Sequence, residues 1–180
     1  MKILAWAPET MATQITRVPN NKMSPSSKIK FGIIGYSRVA KKSMISAITE
    51  SSFAEVVAIG SRDSKESSAI SEEFGKDFCA SYEDILNNES IDAVYISLPN
   101  ALHEKWTVRA ADAGKHVLCE KPAAVSYESA KRMVEAAKKN NIRLMEGLMF
   151  RYHPQHKAVK NFIKEGIRKT DLAFAPLDTH

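Results

Sequence analysis

The chain holds only two cysteines, seven glycines and two tryptophans among 180 residues, and it lacks any long apolar run. Cys79 and Cys119 have no CxxC partner and no metal-ligand spacing, so no metal site is expected. Two buried free thiols in a reducing cytosol are the default, ahead of a disulfide between them. No apolar stretch approaches the roughly 18–20 residues that cross a bilayer, and Ile3–Ala7 is too short for a signal-peptide core. The expectation is a cytoplasmic protein with no membrane partner. A stripe of one charge sign is also missing. The net charge is +5 and the pI about 9.1, but Lys and Arg are scattered among acids. That pattern describes solvated helix faces rather than a nucleic-acid surface, and it favours, weakly, an anionic ligand such as a phosphorylated cofactor.

What is present is the balance of a soluble globular protein, with 44% hydrophobic and 26% charged residues. Residues 1–27, with Pro8, Pro19 and Pro25 and no sustained period, are expected to be a flexible extension or leader. From Lys28 onward short apolar runs alternate with helical periodicity. Ile29–Ile34, Ala54–Ile59, Phe78–Ala80, Ile91–Ser97, His116–Cys119 and Ile142–Gly147 are predicted strands. Helices are predicted over Arg38–Glu50 (with Ala40, Met44, Ala47 and Ile48 inward), from Ser64 as N-cap to Phe74, over Tyr82–Leu86 and His103–Ala113, from a Ser126 cap to Lys139, and over Tyr152–Glu165. Strands and helices alternating at these lengths give an α/β fold, a doubly wound parallel-sheet Rossmann domain over residues 28–150. Residues 151–180 are expected to be a linker helix and the truncated start of a C-terminal substrate domain.

In such sheets ligands bind at the carboxyl ends of the strands, and four motifs fall there. Gly32-Ile33-Ile34-Gly35-Tyr36-Ser37-Arg38-Val39-Ala40 joins a strand to a helix. Against G-x-G-x-x-G it supplies Gly35 for the tight turn, Ser37 at the second glycine position and Ala40 at the third. A serine side chain crowds a pyrophosphate, yet its hydroxyl can hydrogen-bond a phosphate oxygen at the positive helix end. Alone this motif is weak. Gly60-Ser61-Arg62-Asp63 follows the second strand. Ser61 and Arg62 suit a ribose 2′-phosphate, while Asp63 is either the acid of an NAD site or a cap for the next helix. NADP is therefore preferred over NAD. In Leu98-Pro99-Asn100-Ala101-Leu102-His103, Asn100 and His103 can present polar groups to a ribose and nicotinamide, or Asn100 merely starts a helix. Glu120-Lys121-Pro122 places a lysine that can polarise a carbonyl or protonate a nascent alkoxide; a lone Glu-Lys-Pro is otherwise a surface turn.

The order and spacing of these motifs, with Ala113–Pro122 and Met149-Phe150-Arg151-Tyr152-His153-Pro154, resembles the glucose–fructose oxidoreductase / inositol dehydrogenase (Gfo/Idh/MocA) family over about Ile29 to Gly166. The Arg-Tyr-His-Pro stretch is similar to the branch holding dihydrodiol and xylose dehydrogenases and sugar-nucleotide ketoreductases. The resemblance implies that Gly35, Ser37, Arg38 and Val39 form the pyrophosphate turn, and that Ser61 and Arg62 bind the adenosine-ribose phosphate. It further implies that Leu98, Asn100 and His103 line the nicotinamide ribose, and that Glu120 and Lys121 lie near hydride transfer, with Lys121 catalytic. Arg151 is implied to lie close to the nicotinamide end.

The implied activity is hydride transfer to or from a sugar, polyol or related carbonyl. The family's second domain, which binds substrate and completes proton transfer, is not continued by the residues after Gly166-Ile167. His153 and His156 are expected on a helix face and do not replace it. By this reading the chain alone is inactive, and an uncovered domain face favours self-association. The alternatives are a silent dinucleotide-binding or regulatory module and a non-functional fragment.

Overall fold

The computed structural model describes residues 28–164; the expectations for residues 1–27 and for the segment after Lys164 lie outside the described residues. Six strands form one sheet: β1 (Ile29–Ile34), β2 (Ala54–Gly60), β3 (Cys79–Ala80), β4 (Ala93–Ile96), β5 (His116–Cys119) and β6 (Leu144–Glu146). Their order is β3-β2-β1-β4-β5-β6 and every pairing is parallel. The order reverses between β1 and β4, the switch point at which such sheets open a crevice.

Successive side chains of the strands point to opposite faces and build two cores. Ile29, Phe31 and Ile33 of β1 pack on one side with Ile45, Ile48, Ile59, Ile70 and Tyr95. Ile34 turns to the other side, with Val94, Ile96, Ile85, Trp106, Val117 and Met133. Apolar residues on both faces of each strand are what parallel strands covered by helices require. The helices are α1 (Ile45–Thr49, entered through a π-helical turn over Ala40–Met44), α2 (Ser64–Phe74), α3 (Tyr82–Asn87), α4 (His103–Asp112), α5 (Tyr127–Lys139) and α6 (Pro154–Lys164).

Several local expectations change. The first helix is not regular: the Ile45 amide donates to the Ala40 carbonyl, an i→i+5 bond. The extra residue rotates the inward face, so Ile45 is buried and Met44 only partly so. The cap of α2 is Asp63, not Ser64, because the Asp63 carboxylate accepts from the amides of Lys65 and Glu66. Ser126 caps α5 as expected. Both cysteines are free, with Cys119 buried and Cys79 only half-buried.

The chain divides at Gly147/Leu148 into two compact units. The second comprises a short 3-10 turn over Met149–Tyr152, which contains Arg151, and α6. His153 precedes α6 rather than lying on its face, and its Nδ1 accepts from the Gln155 amide at 3.2 Å.

Candidate functional site

Three strand ends meet at the switch point. Gly35 follows β1 with φ +98°, a left-handed conformation that favours glycine. A Cβ there would come within 2.7 Å of Leu98 Cδ2 and 3.0 Å of the Ser97 carbonyl oxygen. The turn is fixed by Gly35 N–H donating to the Gly60 carbonyl at 3.1 Å and by Ser97 Oγ donating to the Gly35 carbonyl at 2.7 Å. The ends of β1, β2 and β4 are thereby tied together.

Between them lies a cleft of about 250 Å³, lined by Gly35, Tyr36 and Ser37, by Ser61, Arg62, Asp63, Glu66 and Tyr82, and by Ser97, Leu98 and Pro99. Gly35, Ser37, Ser61, Arg62, Asp63 and Leu98, all singled out in the sequence, thus converge. The Ser37 hydroxyl oxygen accepts from the Ala40 amide at 3.2 Å. Its own proton remains able to donate to an anion in the cleft. Arg38 and Val39 are exposed on the first turn.

At the β2 end the Arg62 guanidinium stands 5.8 Å from the centre of the Tyr82 ring. Burial raises the Tyr82 phenol above its ordinary range, and the Arg62 charge opposes that shift. Ser61 Oγ accepts from the Asp63 amide at 3.1 Å and donates to Glu66 Oε2 at 2.6 Å. Asp63 is engaged as the cap of α2 and is directed at its own helix.

Glu66 was not singled out in the sequence. The spacing Asp63-x-x-Glu66 is that of a capping box and could have drawn attention to it, although its side chain reaches Ser61 instead of the cap. Tyr36 and Tyr82 gave no signal beyond their apolar character.

The Glu120–Ala123 loop after β5 is fastened on several sides. Glu120 N–H donates to the Ile96 carbonyl at 2.9 Å. The Tyr95 hydroxyl donates to Glu120 Oε1 at 2.6 Å, and the Lys121 amide to Oε2 at 3.2 Å. The Ala123 amide donates to Glu146 Oε1 at 2.9 Å. Glu120 is buried, and burial with the neighbouring carboxylate pushes the Tyr95 phenol up. Lys121 is exposed at the tip, before a cis bond to Pro122.

His103 differs most from its expectation. It is fully buried, with Nδ1 2.9 Å from the Pro122 carbonyl oxygen and Nε2 2.8 Å from that of Leu98. Both ring nitrogens face backbone carbonyls of the β4 and β5 loops, and the nitrogen that carries the proton donates to its carbonyl, so the ring is turned into the protein. Asn100 is exposed and opens a single 3-10 turn over Asn100–Leu102 that leads into α4.

The donor set fits a dinucleotide. A tight glycine turn and a serine hydroxyl stand where a pyrophosphate would approach the first helix. A serine and an arginine stand at the end of β2, where the adenosine ribose would lie. Among the described residues no group of His, Cys, Asp and Glu could hold a metal ion, and no helix is long and apolar enough to cross a membrane.

An all-parallel sheet with strand order 3-2-1-4-5-6 and a glycine turn at its switch point defines a Rossmann-type domain. Residues 29–148 match the Gfo/Idh/MocA oxidoreductase family with an NAD-binding Rossmann fold, and the chain belongs to that family.

Among its relatives, an uncharacterized oxidoreductase of Rhizobium meliloti is 41% identical over 140 residues, covering 77% of this chain and 42% of that protein. The D-xylose 1-dehydrogenase (NADP(+)) 2 of Haloferax volcanii is 43% identical over 125 residues, 69% of this chain and 38% of its own. A 3-ketoreductase from Actinomadura kijaniata, solved with NADP, superposes with a TM-score of 0.72 at 37% identity, over 78% of this chain and 45% of that one. The chain therefore spans less than half the length of these relatives.

Proposed function

We propose that residues 28–150 are the NADP-binding part of an oxidoreductase that moves a hydride between the cofactor and a hydroxyl or carbonyl carbon of a sugar-type substrate. One observation carries this reading: Gly35, Ser37, Ser61 and Arg62 converge on a single cleft at the switch point, and Glu120-Lys121 occupies the strand end after it. The relatives named for xylose oxidation and for ketone reduction on a nucleotide sugar support the substrate class.

When bound, the nicotinamide supplies or accepts the hydride. The chain's own residues do the rest. Ser37 and the first turn of the helix hold the pyrophosphate. Ser61, on turning its hydroxyl from Glu66, would donate to the ribose phosphate, and Arg62 would neutralise it. Lys121 holds its ammonium group beside the reacting oxygen. There it stabilises developing negative charge or passes a proton, depending on the direction of reaction. Glu120, held by Tyr95, and His103, joining the two loops, keep the backbone around Lys121 in place. Arg151 belongs to the second unit.

The test is a chimera in which this segment replaces the corresponding part of the Haloferax xylose dehydrogenase. The expected result is NADP-dependent xylose oxidation, lowered about 10²–10⁴-fold by Lys121→Ala, the usual range for removing a group that transfers a proton. A folded chimera that binds NADPH but oxidises nothing would favour a silent dinucleotide-binding module.

A further inference from the structure

The side-chain network at the end of β2 contains an anion of its own. Glu66 projects from the first turn of α2 into the cleft, where its Oε2 accepts the Ser61 hydroxyl proton at 2.6 Å. Its Oε1 lies 3.7 Å from the Lys41 ammonium, which reaches across from the π-helical turn with its Nζ 4.2 Å from the centre of the Tyr36 ring. Asp63, the other nearby acid, is bound to the amides of its own helix and is directed away from this exchange. Two donors that a ribose 2′-phosphate could use, the Ser61 hydroxyl and the Lys41 ammonium, are thus gathered around a carboxylate.

A carboxylate and a phosphate make opposite demands on that spot. Two anions competing for the same donors repel each other, and a phosphate must displace the carboxylate from Ser61. A plain ribose 2′-hydroxyl is a donor, and a carboxylate can accept its proton.

We infer that Glu66 moderates the cofactor preference of the site: it occupies Ser61 and Lys41 as an internal anion, which narrows the preference for NADP over NAD without reversing it, while Lys41 becomes a further cation for the phosphate once Glu66 moves aside. The inference rests on the dinucleotide reading of the cleft and refines it by naming two residues on which cofactor preference depends.

The experiment is calorimetric titration of the 180-residue chain and its variants with NADPH and NADH. Adenosine 2′,5′-bisphosphate and 5′-AMP serve as probes of the adenosine end alone. Glu66→Gln keeps the side-chain shape and removes the charge. It should raise the NADPH-to-NADH affinity ratio about tenfold, the order expected for removing one like charge at this range. Adenosine 2′,5′-bisphosphate should gain in parallel against 5′-AMP. Lys41→Met should lower the same ratios by a similar factor.

A Glu66→Gln ratio equal to that of the parent, with both dinucleotides still bound, would overturn the inference and leave the dinucleotide reading standing. Absence of binding by either dinucleotide in the parent chain would overturn both. Glu66→Ala, followed together with thermal unfolding, separates loss of fold from loss of charge: a selectivity change in a chain that unfolds at the parent temperature supports the role in recognition. Equal weakening of NADPH and NADH would instead identify Glu66 as a structural tie and contradict the proposal.

Discussion

Gly35 shows how much of the site depends on one residue. Its φ of +98° and the close approach of Leu98 and Ser97 leave no room for a side chain. Gly35→Ala should therefore destabilise the domain by about 1–3 kcal/mol, the usual scale for forcing an L residue into such backbone. Urea unfolding followed by circular dichroism would measure it, and a stability equal to the parent would show that the turn adjusts freely. At the neighbouring strand ends the chemistry depends on which polar groups are already engaged. The Asp63 carboxylate caps its own helix and the His103 ring is enclosed between backbone carbonyls, whereas the Arg62 and Lys121 side chains are exposed. Cys119, deeper in the sheet, is fully buried, and burial pushes its thiol up to about 12, which disfavours the thiolate.

Ion pairs between helices tie together the face that carries α3, α4 and α5. Arg132 of α5 holds Glu104 of α4 through two hydrogen bonds, and Arg109 of α4 holds Glu83 of α3 at 2.9 Å. The Arg132 hydrogen bonds lower the Glu104 carboxyl from 4.5 to about 2. A carboxylate whose folded-state value is depressed adds stability above its unfolded value and loses it as pH falls through the folded one. The Glu104 contribution is thus present above about pH 4.5 and disappears toward about pH 2. Exposed pairs of this kind are individually weak. The expected outcome is a modest fall in melting temperature across that window, smaller in Arg132→Ala. An identical acid response in the variant would remove this pair from the account.

Legibility in the sequence also follows element by element. β1 was recoverable to the residue because a strand buried on both faces is a continuous apolar run. Ser126 was recoverable as a cap because its signal is local. The π-helical turn at Ala40–Met44 was not, since one extra residue leaves the apolar pattern intact and only rotates its face. The His103 bridge was equally hidden: its partners Leu98 and Pro122 belong to different loops, and nothing in a short motif reports a contact across that separation. Glu66 could be placed at a helix start, but its attachment to Ser61 required the fold.

At the scale of the whole molecule, the sheet order places the phosphate-type donors on one side of the switch point and Glu120-Lys121 on the other. That arrangement separates holding a cofactor from using it, and the described residues bear most directly on the first. The decisive measurement is a titration of the purified chain with NADPH and NADH, followed by fluorescence or calorimetry, in parallel with Arg62→Ala. The account predicts saturable binding of both, tighter for NADPH. Arg62→Ala should lower NADPH affinity about 10–100-fold, the scale of a lost charge-assisted hydrogen bond, and affect NADH far less. Failure of the parent chain to bind either dinucleotide, or equal losses for both in the variant, would contradict it.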